Sequence, residues 1–162
     1  MDIYENAEQL KKIPLLSGSD EAQLKLLAFT SEALDFKPGE HLFKYNDVSD
    51  SVYVILEGEA DVVRDEDPDH VTKLATIGEN NLMGEMGVFL NVPRTASLIA
   101  KKRVYALKIP ANRFIKLVTH NPEIALEVMR QLSEKIVFTS ELAVDTKNEL
   151  RDLQAANHKL HP

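Results

Sequence analysis

The residues best suited to chemistry lie together between Gly84 and Ala96, in the run Gly-Glu-Met-Gly-Val-Phe-Leu-Asn-Val-Pro-Arg-Thr-Ala. Gly84 and Gly87 permit close backbone approach and dihedrals that other residues avoid. Glu85 to Leu90 can make a short helical turn, and the first amides of a helix are unpaired and partly positive, which suits an anion. Arg94 stands nine residues after Glu85, between Pro93 and the hydroxyl of Thr95. A planar guanidinium beside free amides matches a phosphate through paired, charge-assisted hydrogen bonds. Glu85 would be repelled by that phosphate unless it accepts from a hydroxyl on the far side of the ligand, as a sugar offers. Anion cradle, guanidinium and hydroxyl acceptor together describe a site for a ribose phosphate. For an isolated Gly-Glu and a later Arg, a structural Glu85–Arg94 ion pair in a barrel loop is the competing reading.

The elements that must position this segment change period along the chain. From Ala7 to Leu34, Leu10, Ile13, Leu16, Leu24, Leu27, Ala28 and Leu34 recur at helical spacing. Pro14 and the Ser17-Gly18-Ser19-Asp20 cluster split this into two short helices, with Ser19 or Asp20 as the cap of the second. From Asp35 to Pro110 short strands alternate with turns: His41–Lys44, Val52–Leu56, Ala60–Val63, Val71–Ala75, Ser97–Ala100 and Val104–Ile109. Pro38-Gly39 and Gly58 punctuate them, and the charged run Arg64 to Asp69 reads as a hairpin tip. This pattern predicts a mainly β protein, an antiparallel jelly-roll barrel over residues 35–110, with N-terminal helices over 1–34 and C-terminal helices over 111–162. Asn121-Pro122 ends one helix and begins another, with Asn121 as cap and Pro122 in the first position. Neither Pro nor Gly recurs before Pro162. Over 136–160, Ile136, Thr139, Ala143, Thr146, Leu150, Leu153, Asn157 and Leu160 keep the spacing of a coiled coil and predict a homodimer.

Composition bounds the function. A length of 162 residues allows one domain with a true core, and 44% hydrophobic with 28% charged residues is ordinary for a soluble globular chain. A net charge of −7 argues against a broad grip on nucleic acid, but one buried Arg can still dominate a local potential. With no Cys, disulfide and thiolate chemistry are excluded. No apolar run approaches the ~20 residues of a membrane span, and the polar start is unlike a secretory signal. The default is a cytoplasmic chain with no membrane partner.

Taken whole, Gly84 to Ala96 resembles the phosphate-binding cassette of cyclic-nucleotide-binding domains, which occur in cAMP-dependent kinase regulatory subunits, cyclic-nucleotide-gated channels and bacterial catabolite-activator-type regulators. The resemblance runs from about Ile13 to about Glu141 and takes in Lys37-Pro38-Gly39-Glu40 and Val52 to Ala60. It implies that Glu85 binds the ribose 2′-hydroxyl with the Gly84 backbone alongside, and that Arg94 pairs with the equatorial phosphate oxygen. Amides of Gly87 and Thr95 would complete the phosphate contacts, Met86 and Val71 would line base or sugar, and Ala96 is counted with them among the ligand-binding residues. Gly87 stands where many members have Ala. The implied ligand is cAMP ahead of cGMP, since a hydroxyl at Thr95 serves cGMP in eukaryotic members but accompanies cAMP in bacterial activators. No cofactor is implied. Arg130, Gln131, Ser133, Thr139 and Ser140 are candidates to cover the base.

Other readings fare worse. A cupin-type metal enzyme would need converging His, whereas the five here, at 41, 70, 120, 158 and 161, are scattered. No helix-turn-helix follows the long helix, so direct DNA binding by this chain is not expected. Lys101-Lys102-Arg103 reads as a solvated turn, and Asp65 to Asp69 lacks the spacing of a calcium loop. No acid–base pair or activated nucleophile is visible, so the expected function is a non-enzymatic regulatory module that signals through its C-terminal helix to an output domain or partner. The alternative is an interaction module whose cassette binds no nucleotide.

Overall fold

Apolar runs bounded by turn residues produce eight strands: β1 (Glu32–Phe36), β2 (His41–Phe43), β3 (Ser51–Glu57), β4 (Ala60–Arg64), β5 (Thr72–Ile77), β6 (Leu82–Met83), β7 (Ser97–Ala100) and β8 (Val104–Pro110). This computed structural model describes residues 2–160. The strands pair into two four-stranded sheets, β1-β8-β3-β6 and β2-β7-β4-β5, and every pairing is antiparallel. That order is the double Greek key of a jelly roll. The expected antiparallel jelly roll with flanking helices is what forms. Among the described residues no pairing links the edges of one sheet to those of the other, so the roll is two facing sheets rather than a closed cylinder.

Leu42, Tyr53, Ile55, Ala60, Leu98, Ala100, Val104 and Ala106 form one buried cluster drawn from both sheets. It is the core on which the site is built. β3 lies between β8 and β6 and buries every residue from Ser51 to Leu56. Such a continuous run needs cover on both faces. The second face is covered by helices: α2 (Glu21–Thr30), α3 (Glu85–Leu90) and α4 (Ala111–Thr119) all touch β3 or β8.

The N-terminal region holds α1 (Ile3–Lys11), a 3-10 turn at Pro14–Leu16, and α2. Asp20 is the cap of α2: its side chain accepts from the Gln23 amide, and Gln23 returns a bond to the cap backbone. Leu34 is corrected from helix to strand. It pairs with Ala106 in a five-residue β1–β8 ladder, and that tertiary pairing overrides its helical spacing. The β region therefore starts at Glu32 and not at Asp35.

The chain divides into two units, Met1–Ile124 and Ala125–Pro162. The last helix, α5 (Pro122–Leu160), runs 39 residues from the expected proline, a length of about 58 Å at 1.5 Å per residue. Ile136, Leu150, Leu153 and Leu160, all on the predicted coiled-coil seam, are exposed. The side chain of Thr139 and all of His161 lie outside the described residues. No described helix is long and apolar enough to cross a membrane.

Candidate functional site

Gly84 follows β6 with a left-handed backbone, φ 90°, and is the residue from which α3 starts. A side chain there would be strained, and a Cβ would also lie 2.4 Å from Arg94 Nη1. The glycine is what lets the guanidinium come against the backbone. Glu85 opens the helix and is 8% exposed. Asn91, also left-handed at φ 53°, closes it, and the Val92 amide donates to the Gly87 carbonyl at 3.1 Å.

Gly87 carries more than an amide. A Cβ there would sit 2.1 Å from Ser49 Oγ, whose hydroxyl donates to the Val92 carbonyl at 2.6 Å. In this chain a serine occupies the space that an alanine methyl would need. The spacing of the cassette gave no sign of this, because Ser49 comes from the loop before β3.

Arg94 is 3% exposed. Its Nη1 donates to the Gly84 carbonyl at 3.1 Å, and its Nη2 to the Ser51 carbonyl at 2.6 Å and Ser51 Oγ at 3.2 Å. The guanidinium lies over the Phe43 ring, 4.3 Å from its centre. Asp50 Oδ1 is 3.9 Å from Nη2 and belongs to an exposed side chain. Arg94 Nε is buried with no hydrogen-bond partner. Burial pulls this guanidinium below the usual arginine value, against the opposing pull of Tyr53, Asp50, Asp47 and Glu85. The site thus encloses a desolvated cation whose Asp50 partner is exposed and 3.9 Å away. Glu85, at the start of α3, is one of the acidic groups acting on that charge.

The main chain on either side of Thr95 and Ala96 is tied down. Arg94 N donates to the Asp47 carbonyl and Asn46 N to the Arg94 carbonyl, both at 2.8 Å. Tyr45 N donates to Ser97 Oγ at 2.7 Å. Thr95 is exposed and Ala96 half-buried between these anchors, and Met86 is exposed on α3. Val71 sits exposed just before β5, on the hairpin from β4. The structure therefore brings Gly84, Glu85, Gly87, Arg94, Thr95 and Ala96 into one region, while Val71 stands on the β4–β5 hairpin.

Phe89 carries no chemical signal in the sequence. Its ring packs on the fully buried Phe114 of α4 at 5.5 Å between centres, a contact that links the cassette helix to α4. The base-cover candidates lie on α5: Arg130 bonds Glu127, Ser133 Oγ donates to the Met129 carbonyl at 2.7 Å, and Ser140 is exposed. Gln131 Nε2 reaches Glu127 at 3.4 Å. Among the described residues no three His, Cys, Asp or Glu gather as a metal site.

The model of the cyclic nucleotide-binding domain matches residues 33–121, more than half of the chain. The chain belongs to that family. It is 25% identical over 139 residues to the CRP-like cAMP-activated global transcriptional regulator of Mycobacterium tuberculosis, covering 85% of this chain and 62% of that protein. It is 24% identical over 151 residues to the cGMP-dependent protein kinase of Plasmodium berghei, covering 91% of this chain and 17% of that one. The chain thus spans less than two thirds of these curated relatives. Among solved structures, the regulatory domain of Toxoplasma gondii PKA with cAMP has the same fold, with a TM-score of 0.71 at 20% identity over 82% of this chain and 50% of that one.

Proposed function

We propose that this chain is a cytoplasmic regulatory module that binds a cyclic nucleotide, cAMP ahead of cGMP, in the Gly84–Ala96 cassette. The observation that carries the reading is the enclosed Arg94 guanidinium, with a buried Nε that has no partner. A singly charged cyclic phosphate is the kind of anion such a group lacks. Its compact charge would meet Arg94 and the amides of Gly87 and Thr95, and the ribose 2′-hydroxyl would meet Glu85. Ala96 closes the cassette, while Met86 and Val71, both exposed, would face sugar or base.

Binding is read out as a population shift. Ligand orders α3, the Phe89–Phe114 contact passes the change to α4, and α5 follows α4 in the chain. This works only if the ligand has different affinity for the two arrangements. The output is a homodimeric seam over 136–160 joined to an output domain or partner protein.

Isothermal titration with cAMP and cGMP tests the ligand. Saturable binding with cAMP tighter is expected, and absence of binding to both at millimolar concentration leaves a nucleotide-independent interaction module. Removal of the Glu85 carboxylate should abolish discrimination against 2′-deoxy-cAMP, and retained discrimination would refute the ribose role. Sedimentation at high protein concentration should give twice the mass of one chain.

A further inference from the structure

Four residues from three stretches of chain, His41 and Tyr45, Asp65, and Ser97, meet at the end of the cassette. Ser97, the first residue of β7, is fully buried. Its hydroxyl accepts from the Tyr45 amide at 2.7 Å and donates to Asp65 Oδ1. The other oxygen of Asp65 meets His41 Nε2 of β2 at 3.0 Å. Asp65 follows β4 and opens the hairpin that carries Val71. The nearby charges are otherwise engaged: Arg64 pairs with Glu66 and lies over the Tyr45 ring at 4.6 Å. Asp65 therefore holds one hydroxyl proton and one imidazole at once.

What this arrangement fixes is the tail of the cassette. A serine hydroxyl has a single proton, and spending it on Asp65 leaves the oxygen lone pairs aimed at Tyr45 N–H. Tyr45 is followed by Asn46 and Asp47, whose backbone is bonded to Arg94. Thr95 and Ala96 are thus suspended between an anchor at Arg94 and an anchor at Ser97, and both anchors depend on the loop from Tyr45 to Asp47. We propose that Asp65 is a positioning residue for the ligand. Through the Ser97 hydroxyl it sets the place of the Thr95–Ala96 backbone, and it ties the β4–β5 hairpin to the same point. The inference rests on the cyclic-nucleotide reading above and adds to it a residue that touches no ligand.

Asp65→Ala, Ser97→Ala and the double variant separate this from a loss of general stability. Asp65→Ala should weaken cAMP binding about tenfold, roughly the worth of one charge-assisted hydrogen bond. Because Asp65 acts through Ser97, the double variant should bind no more weakly than the worse single one, whereas independent structural roles would add. Ser97→Thr, which keeps the hydroxyl, should retain most of the affinity. Hydrogen exchange of the Tyr45 amide in ligand-free protein should quicken in Asp65→Ala. Wild-type affinity in Asp65→Ala, additive losses, or unaltered Tyr45 exchange would each overturn the proposal. If the wild-type protein binds neither cAMP nor cGMP, the functional reading fails, and the Tyr45 exchange still decides whether Asp65 holds the cassette tail.

Discussion

The central carbon of the Arg94 guanidinium stands 4.3 Å over the centre of the Phe43 ring. Phe43 also packs on Tyr53 at 5.6 Å, so the aromatic platform is itself fixed within the core. The cation is held by a π face, by two backbone carbonyls and by the Ser51 hydroxyl, with the exposed Asp50 carboxylate 3.9 Å away. Such partners orient a charge without cancelling it. The charge stays available to a ligand.

Two substitutions test this. Arg94→Ala should cost roughly 2–5 kcal/mol of nucleotide binding, the range for losing a desolvated charged partner. Phe43→Leu keeps the apolar volume but removes the π face, and should cost about 1–2 kcal/mol of binding. Calorimetric titration measures both. A Phe43→Leu protein with unchanged affinity would show that the carbonyls alone position the guanidinium.

Gly87 and Ser49 form a reciprocal pair. Gly87→Ala places a methyl 2.1 Å from Ser49 Oγ and 2.9 Å from Ser49 Cβ, and should destabilise the fold by about 1–3 kcal/mol as overpacking does. Adding Ser49→Gly removes both atoms and should recover most of that loss. Thermal denaturation of the single and double variants is the measurement, and failure of the rescue would place the cost elsewhere.

Phe89→Ala separates binding from signalling. The ring touches Phe114 of α4 near the C-terminal end of α3, whereas Arg94 bonds the Gly84 carbonyl at the start of that helix. Affinity for cAMP should change by only a few fold, whereas the ligand-induced change in hydrogen exchange within α4 should disappear. A preserved response in α4 would exclude this contact as the link.

Asp65 also predicts an acid limit. Its hydrogen bond with His41, and then that with Ser97, hold its carboxyl below the ordinary value of 3.8. A carboxyl whose folded pKa is depressed contributes stability above its unfolded pKa and loses it as pH falls through the folded one. Wild type should therefore be more stable than Asp65→Asn at pH 6, with the difference shrinking below pH ~4 as the wild-type carboxyl is protonated. Thermal melts across this range give the comparison.

What was readable in the sequence was what local chemistry specifies. The strands from Val52 to Leu56 and Val104 to Ile109, the Asp20 cap, Pro122 as a helix start and the grouping of Glu85 with Arg94 all follow from neighbouring residue types. What was missed depends on pairing across distance. β6 is only two residues, Leu82 and Met83, and exists because they meet Val54 and Tyr53. Leu34 reads as helical until its ladder with β8 is known. Ser49 against Gly87, Phe43 beneath Arg94 and Asp65 beside Ser97 bring together residues far apart in the chain. No single-chain spacing encodes such meetings.

The unpartnered Arg94 Nε has a consequence for the lifetime of the protein. A partner that binds only the folded form stabilises it in proportion to the logarithm of its concentration over its dissociation constant, about 2.7 kcal/mol at a hundredfold excess. The ligand-free chain is then the form that opens more often and is degraded first, and abundance follows the supply of the small molecule. Limited proteolysis with and without cAMP reads this directly: protection that is absent in Arg94→Ala is the expected result, and equal digestion rates would refute it. On this view the enclosed charge meters the amount of protein as well as sensing the signal.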